Sequence, residues 1–143
     1  MTHKAKNKLL NNIIIYAVGK CFFPLILLLG FYIQINGDNA PGGGFQAGVI
    51  IATAFILHSF IFDSETTIKI LSPRLLRCLS ALGVSLYLGT GILCIILGGN
   101  FLEYGALKIL NLNPTFGISM IEWGVGLTVF SIICKIYYQF LDR

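Results

Sequence analysis

Charged side chains are scarce in this sequence. Only 11% of the 143 residues are Asp, Glu, Lys or Arg, whereas soluble domains average roughly 25%. Hydrophobic residues make up 56%, and the mean hydropathy is +0.83. Most of the charge lies at the N-terminus and in two short connections between long apolar runs. A chain of this composition belongs in a lipid bilayer, and its length predicts a single domain, 1–143.

The sequence also lacks the motifs of common metal, cofactor and catalytic sites. Its four cysteines lie within or beside apolar runs, with no C-x-x-C pair and no histidine cluster near them. Such cysteines are usually small buried apolar residues. The sequence contains no H-E-x-x-H motif and no set of residues typical of the catalytic nucleophile and base of a hydrolase. We therefore expect no enzyme activity, no metal site and no cofactor.

Nucleotide and nucleic-acid binding are excluded on similar grounds. Gly42, Gly44 and Ala47 nominally fit a dinucleotide fingerprint. That fingerprint requires a preceding strand, whereas both flanks here are apolar runs of helical length. The net charge of +4 comes from basic residues that flank apolar runs, and no basic stripe carries exposed aromatics. We expect no nucleic-acid partner.

Four apolar segments are long enough to cross a bilayer, since a span needs about 20 residues. They are predicted at 13–35, 44–62, 77–99 and 117–138. The first segment follows Lys4, Lys6 and Lys8, but its apolar run continues to Ile35, which favours an uncleaved span over a signal peptide. The fold class is thus an all-α integral membrane protein, a bundle of four transmembrane helices. The connection at 101–110 has the pattern of an amphipathic interfacial helix.

Basic residues predict the orientation of these spans. Four spans with three short connections leave both termini on one side. The termini and the connection at 63–76, with Arg77, carry all but one of the basic residues near the span ends. Because cytoplasmic loops are enriched in Lys and Arg, both termini are predicted to be cytoplasmic. The turn between the first two spans then lies near the outer face.

That turn has an unusual sequence, a proline followed by three glycines. Glycine adopts backbone angles that other residues avoid, and proline fixes its own φ and is tolerated in the first turn of a helix. Asp38 and Asn39 are helix-capping residue types. The pattern predicts a tight turn that ends one helix and begins the next. Its motif residues are Asn39, Pro41, Gly42, Gly43, Gly44 and Phe45.

Small residues recur every four positions after the turn. Gly44, Gly48 and Ala52 fall on one face of the second helix. This pattern allows close packing of membrane helices, although ordinary membrane helices are also rich in glycine. The third span offers a similar pair, Ser85 and Gly89. Further packing candidates on the fourth span are Gly124 and Gly126.

Ionisable residues within spans are costly and are therefore functional candidates. Glu122 is the strongest candidate, because it lies about five residues into the fourth span. Its carboxylate lies either near the lipid headgroups or turned inward toward a partner group. Lys20 lies about two turns into the first span, where it either snorkels or faces a polar interior. His58 lies about one turn from the predicted cytoplasmic end of the second span. It is either a functional residue or an ordinary histidine at the membrane interface. Gln46 and Thr53, seven residues apart on one face, complete the candidates for a proton or cation pathway.

Two sequence blocks resemble a known family. The block from Asn36 to Gly48, which contains N-A-P-G-G-G-F, and the block from Ile121 to Thr128, which contains E-W-G-V-G-L, are similar to the MnhB family. Proteins of that family are subunits of multi-subunit Mrp-type Na⁺/H⁺ antiporters. The resemblance covers nearly the whole chain. Asp38 stands where the family pattern has histidine, so the resemblance carries no titration role to that position.

The resemblance implies a multi-pass protein of the bacterial inner membrane. It also implies other antiporter subunits as partners, beside the lipid bilayer, with Na⁺ and H⁺ as the transported ions. A small subunit of this kind would help assemble the complex and line part of the ion route. The alternatives are a purely structural subunit, or a membrane anchor of a related redox complex of the hydrogenase type.

Overall fold

A computed structural model describes residues 13–37, 42–111 and 113–141. These residues form five α-helices and one 3₁₀ segment, joined by turns and irregular segments, and no strand occurs among them. The helices are α1 (Ile13–Ile35), α2 (Gly44–Phe62), the short α3 (Ser64–Ile70), α4 (Pro73–Ile96) and α5 (Pro114–Leu141); the 3₁₀ segment is Tyr104–Leu110. All but α3 and the 3₁₀ segment are long and apolar enough to cross a membrane. The prediction of an all-α protein with four membrane-spanning helices is confirmed.

The four long helices pack side by side in the order α1, α2, α5, α4. Helix α2 lies against both α1 and α5, and α5 lies against both α2 and α4, whereas α1 touches α5 only slightly. The burial of the helices agrees with this order. Within the most apolar 18 residues of each helix, the buried share is 39% in α2 and 28% in α5, but only 11% in α1 and 17% in α4. The two inner helices are thus α2 and α5.

Helices α2 and α5 approach each other through glycine. Gly44, Gly48 and Ala52 are all buried on α2. A Cβ atom added at Gly48 would lie 2.7 Å from the carbonyl oxygen of Gly126 and 3.2 Å from the backbone nitrogen of Phe130. The two backbones are therefore nearly in contact, as the four-residue spacing predicts for a face of small residues.

The α4–α5 contact uses a different glycine from the predicted pair. Ser85 and Gly89 are both exposed, and a Cβ added at Gly89 would meet nothing within 4 Å. Gly83 is buried instead, and a Cβ added there would collide with the hydroxyl of Thr128. Ser85 and Gly89 therefore take no part in the α4–α5 contact, and their predicted role in helix packing stays a prediction about contacts outside this chain. The reason is helical phase, because Ser85 lies about 200° around the helix from Gly83.

Helix α4 begins at Pro73, four residues before the predicted span. Ser72 is its N-cap, and the Ser72 hydroxyl accepts a hydrogen bond from the backbone nitrogen of Leu75 at 3.2 Å. Pro73 occupies the first helical position, where its missing N–H costs nothing. The helix then ends at Ile96, before Gly98, whose φ is +85°.

We predict that Ser72→Ala lowers the free energy of unfolding by about 1 kcal/mol, because the orphan N–H of Leu75 loses its cap. Thermal unfolding of the purified chain in detergent measures the change. Ser80→Ala is the matched control, since the Ser80 hydroxyl only bonds back to the carbonyl of Arg77 within the helix. Equal effects of the two substitutions would contradict the capping role of Ser72.

Two of the connections between the long helices contain short helical segments. The segment 63–76 contains α3, which folds back under the ends of α2 and α5 and buries Leu71 with Leu76 and Tyr138. The segment 101–110, predicted as an amphipathic helix, forms only the 3₁₀ turn from Tyr104 onward. Leu102 and Asn111 have positive φ at either side of it, which keeps a regular α-helix from extending across this connection.

Candidate functional site

The turn between α1 and α2 requires glycine at two of its positions. Gly43, the N-cap of α2, has φ +142° and ψ 179°, a conformation that is essentially restricted to glycine. Gly44 begins the helix, and a Cβ added there would collide with the carbonyl oxygen of Glu122. The N-cap is thus a glycine and not one of the capping residue types that precede it. Those residues, Asp38 and Asn39, lie outside the described residues, as does Pro41.

The remaining motif residues of the turn have different surroundings. Gly42 is exposed, and a Cβ added there would lie 2.9 Å from the side chain of Ile33 on α1. Phe45 points away from the chain and is 63% exposed. Of the motif residues that the structure describes, only Gly43 and Gly44 therefore face the junction of α1, α2 and α5.

The carboxylate of Glu122 lies at this junction. A Cβ added at Gly37, just after the end of α1, would lie 2.6 Å from Oε2 and 2.9 Å from Oε1 of Glu122. A Cβ added at Gly43 would lie 3.5 Å from Oε1. The carboxylate thus rests against the bare backbones of two glycines. Because α5 begins at Pro114, Glu122 is eight residues into its helix, roughly 12 Å from the helix start.

Gln34 is a polar residue of this junction that sequence reasoning missed. Its side chain is only 4% exposed, and its Nε2 has no hydrogen-bond partner. A Cβ added at Gly126 would collide with Oε1 of Gln34. The sequence signal for Gln34 is an amide in the last turn of a long apolar span, three residues before Gly37.

His58 belongs to a second polar cluster, at the other end of α2. Its ring is 9% exposed and stacks on Phe62, with ring centroids 4.5 Å apart. His58 Nδ1 and the hydroxyl of Thr67 are 2.8 Å apart. The Thr67 hydroxyl also donates to the carbonyl of Asp63 at 3.0 Å. It has one proton to give, so it accepts from Nδ1–H of His58, which assigns the tautomer from the network.

Strain accompanies this second cluster. Asp63, between α2 and α3, has φ +114° and ψ 142°, which is costly for a residue with a side chain. The sharp corner brings Thr67 of α3 back to His58. It also brings the Thr67 carbonyl to the hydroxyl of Tyr138, at 3.5 Å. The corner therefore joins α2, α3 and α5 at the end predicted to be cytoplasmic.

The other predicted pathway residues lie on the outside of the chain. Lys20, Gln46 and Thr53 are all exposed. The Thr53 hydroxyl donates back to the carbonyl of Val49 at 2.9 Å. None of these three residues therefore faces the interior of this chain. The structure does not bring these three residues together with Glu122 or His58.

The two clusters have different chemical capacities. Glu122 offers a carboxylate that can exchange a proton or contact a cation, and His58 offers an imidazole with one nitrogen already engaged. Among residues 13–37, 42–111 and 113–141, no three His, Cys, Asp or Glu side chains lie close enough to hold a metal ion. The candidate functional site is therefore the glycine-lined junction around Glu122 and Gln34. We call it the outer junction, after the membrane face at which the basic residues predict it to lie.

Comparison with known proteins supplies the family. Residues 14–135 match the family described as a domain related to the MnhB subunit of Na⁺/H⁺ antiporters. A protein of Staphylococcus haemolyticus named as antiporter subunit mnhB2 is 32% identical over 130 residues, which cover 88% of this chain and 92% of that protein. A Na⁺/H⁺ antiporter subunit of Bacillus subtilis is 31% identical over 88% of this chain and 90% of its own length. This multi-pass membrane protein therefore belongs to the MnhB family.

Proposed function

We propose that this chain is a small membrane subunit of a multi-subunit Na⁺/H⁺ antiporter. In this function it packs beside other antiporter subunits in the cell membrane, helps the complex assemble and lines part of the ion route. The family membership and the two antiporter relatives support the parent complex. The basic residues at the termini and in the segment 63–76 support an orientation with both termini in the cytoplasm.

The position of the Glu122 carboxylate is the observation that carries the ion-route part of this function. A carboxylate inside a membrane span is expensive and functional by default. Here it is only partly buried, and it lies against Gly37 and Gly43, where no side chain intervenes between it and the backbone. Such a group can hold either a proton or a Na⁺ ion, and competition between the two is the elementary requirement of antiport.

The exposed small residues of α4 support the assembly part of the function. Ser85 and Gly89 present a smooth surface away from α5. A helix of another subunit can approach such a surface closely. A purely structural subunit, which would dock through this surface and through the exposed face of α1, is the second candidate function.

Glu122→Gln tests the two candidates against each other. The substitution keeps the shape of the side chain but removes the exchangeable proton and the charge. We expect Na⁺-driven dissipation of a pH gradient in everted membrane vesicles to fall by about tenfold or more, in line with the loss of a positioned proton-transfer group. Assembly of the complex on a native gel should persist.

Glu65→Gln is the matched control, because Glu65 is exposed on α3, at the other end of α2. It should keep both assembly and antiport. An assembled Glu122→Gln complex with full antiport across pH would refute the ion-route role and leave the structural one. Co-purification with electron-transfer subunits instead of antiporter subunits would refute the parent complex.

A further inference from the structure

The buried amide of Gln34 requires an acceptor. Its side chain is 4% exposed, and Nε2 has no hydrogen-bond partner. A buried donor without a partner costs about 1–3 kcal/mol. The Oε1 side of the amide is already against the backbone of Gly126. Any partner for Nε2 must therefore come from the other side of the amide, within the space between α1, α2 and α5.

Two backbone contacts place Gln34 and Glu122 in one seam. Gln34 of α1 lies against Gly126 of α5, and Gly37, just after the end of α1, lies against the carboxylate of Glu122. Glu122 and Gly126 are four residues apart on one face of α5, and Gln34 and Gly37 are three residues apart where α1 ends. The amide and the carboxylate consequently follow each other along the same seam, about one helical turn apart.

At Gly44, glycine places no side chain in this seam. Gly44 lies between the two levels, where a Cβ would lie 2.8 Å from the carbonyl carbon of Glu122 and 3.0 Å from the backbone nitrogen of Gly126. A carboxylate offers about four lone-pair positions, so Glu122 can accept a further hydrogen bond beside those that it already makes. A buried water typically makes two to four hydrogen bonds to polar groups that otherwise lack a partner, and a water can bridge two polar groups that do not bond directly.

We propose that Gln34 Nε2 and the Glu122 carboxylate share one bound water molecule in the outer junction. The water accepts from Nε2 and donates to the carboxylate, so Gln34 is a positioning residue for Glu122. The ligand of this site is a water molecule. Through it, the hydrogen bonds that begin at the Glu122 carboxylate reach Gln34, about one helical turn further into the membrane. Its importance for transport rests on the proposed function, but the water site itself does not.

A double-mutant cycle on thermal stability tests the proposal. Gln34→Met keeps the length of the side chain and removes its hydrogen bonds, and Glu122→Gln weakens the acceptor. In the full chain purified in detergent, we expect Gln34→Met alone to lower Tm by about 4 °C. In the Glu122→Gln background, the same substitution should lower Tm by less than half as much, because coupled groups are not additive.

Two outcomes would overturn the proposal. If the Tm of Gln34→Met is unchanged or raised, the Gln34 amide has no hydrogen-bond partner in the native protein. Replacing an unpaired buried polar group by an apolar one is neutral or stabilising. An equal fall of Tm in both backgrounds would show a packing role that does not involve Glu122. Gln139→Met is the matched control; Gln139 is exposed near the end of α5, and its substitution should leave Tm unchanged.

The transport assay separates this proposal from the proposed function. If the cycle shows coupling while Glu122→Gln retains antiport, the water site stands and the ion-route role of Glu122 fails. If Glu122→Gln loses antiport but the cycle is additive, the ion-route role stands and the water site fails. The exchange variant Gln34→Glu with Glu122→Gln restores an amide–carboxylate pair, so it should recover Tm relative to Gln34→Glu alone. Failure of that recovery would also count against the shared water.

Discussion

Gly44→Ala is expected to remove this subunit from the membrane complex. The added Cβ would collide with the carbonyl oxygen of Glu122, and the backbone nitrogen of Gly126 would lie only 3.0 Å away. Both obstacles are backbone atoms of α5, so no change of rotamer relieves them. Helices α2 and α5 must move apart along the seam that holds the two inner helices together.

The expected cost of Gly44→Ala is about 3 kcal/mol, at the upper end of overpacking. This is a large part of the stability of a typical domain. The amount of subunit in isolated membranes and its position on a native gel measure the effect. Gly105→Ala is the control, since a Cβ at Gly105 meets nothing within 4 Å. Wild-type levels of an assembled Gly44→Ala subunit would contradict the close approach of the two backbones.

Gly83→Ala is expected to have the second largest effect, by separating α4 from α5. A Cβ at Gly83 would collide with the Thr128 hydroxyl and would lie 2.9 Å from the backbone nitrogen of Thr128. The carbonyl oxygen of Gly124 obstructs the same position. We expect a loss of about 2 kcal/mol in the free energy of unfolding, which is measured by thermal unfolding in detergent.

Gly91→Ala on the same helix provides a matched comparison. A Cβ at Gly91 would also collide with a neighbour, but its three nearest atoms all belong to the ring of Phe101. A side chain in a connection can swing away, whereas the backbone of a packed helix cannot. Gly83→Ala should therefore be the more destabilising substitution, and Phe101→Leu should rescue Gly91→Ala. The reverse order of the two effects would contradict the assignment of Gly83 to the α4–α5 contact.

The sequence predicts the long helices well because length and hydropathy define a membrane span. The bounds of α1 and α2 agree with the predicted segments 13–35 and 44–62. Helix α4 starts earlier than predicted because Ser72 and Pro73 form a capped first turn outside the apolar run. Composition describes the apolar run, whereas capping determines where the helix begins.

Helix faces are harder to predict than helix bounds. A soluble helix has a polar side that fixes which residues point inward, but α4 is apolar nearly all round. Nothing in its sequence therefore distinguished Gly83 from Ser85 and Gly89. On α2 the regular spacing from Gly44 provided the missing phase information, and these residues lie against α5.

The candidate site could be predicted only in part. Glu122 was recognisable as a carboxylate within a span, whereas the burial of Gln34 depends on how α5 lies against α1. The partner of His58 was likewise hidden, because Thr67 reaches it only through the positive φ of Asp63. Contacts between segments that are distant in the sequence, and contacts that depend on a strained turn, cannot be predicted from local sequence patterns.

The side-by-side order α1, α2, α5, α4 determines what this subunit can enclose. Four helices in a closed ring surround a central axis, but four helices in a row form a wall with two broad sides. A wall cannot by itself surround an ion. Any conduit that uses the outer junction must therefore be completed by a second wall from another polypeptide.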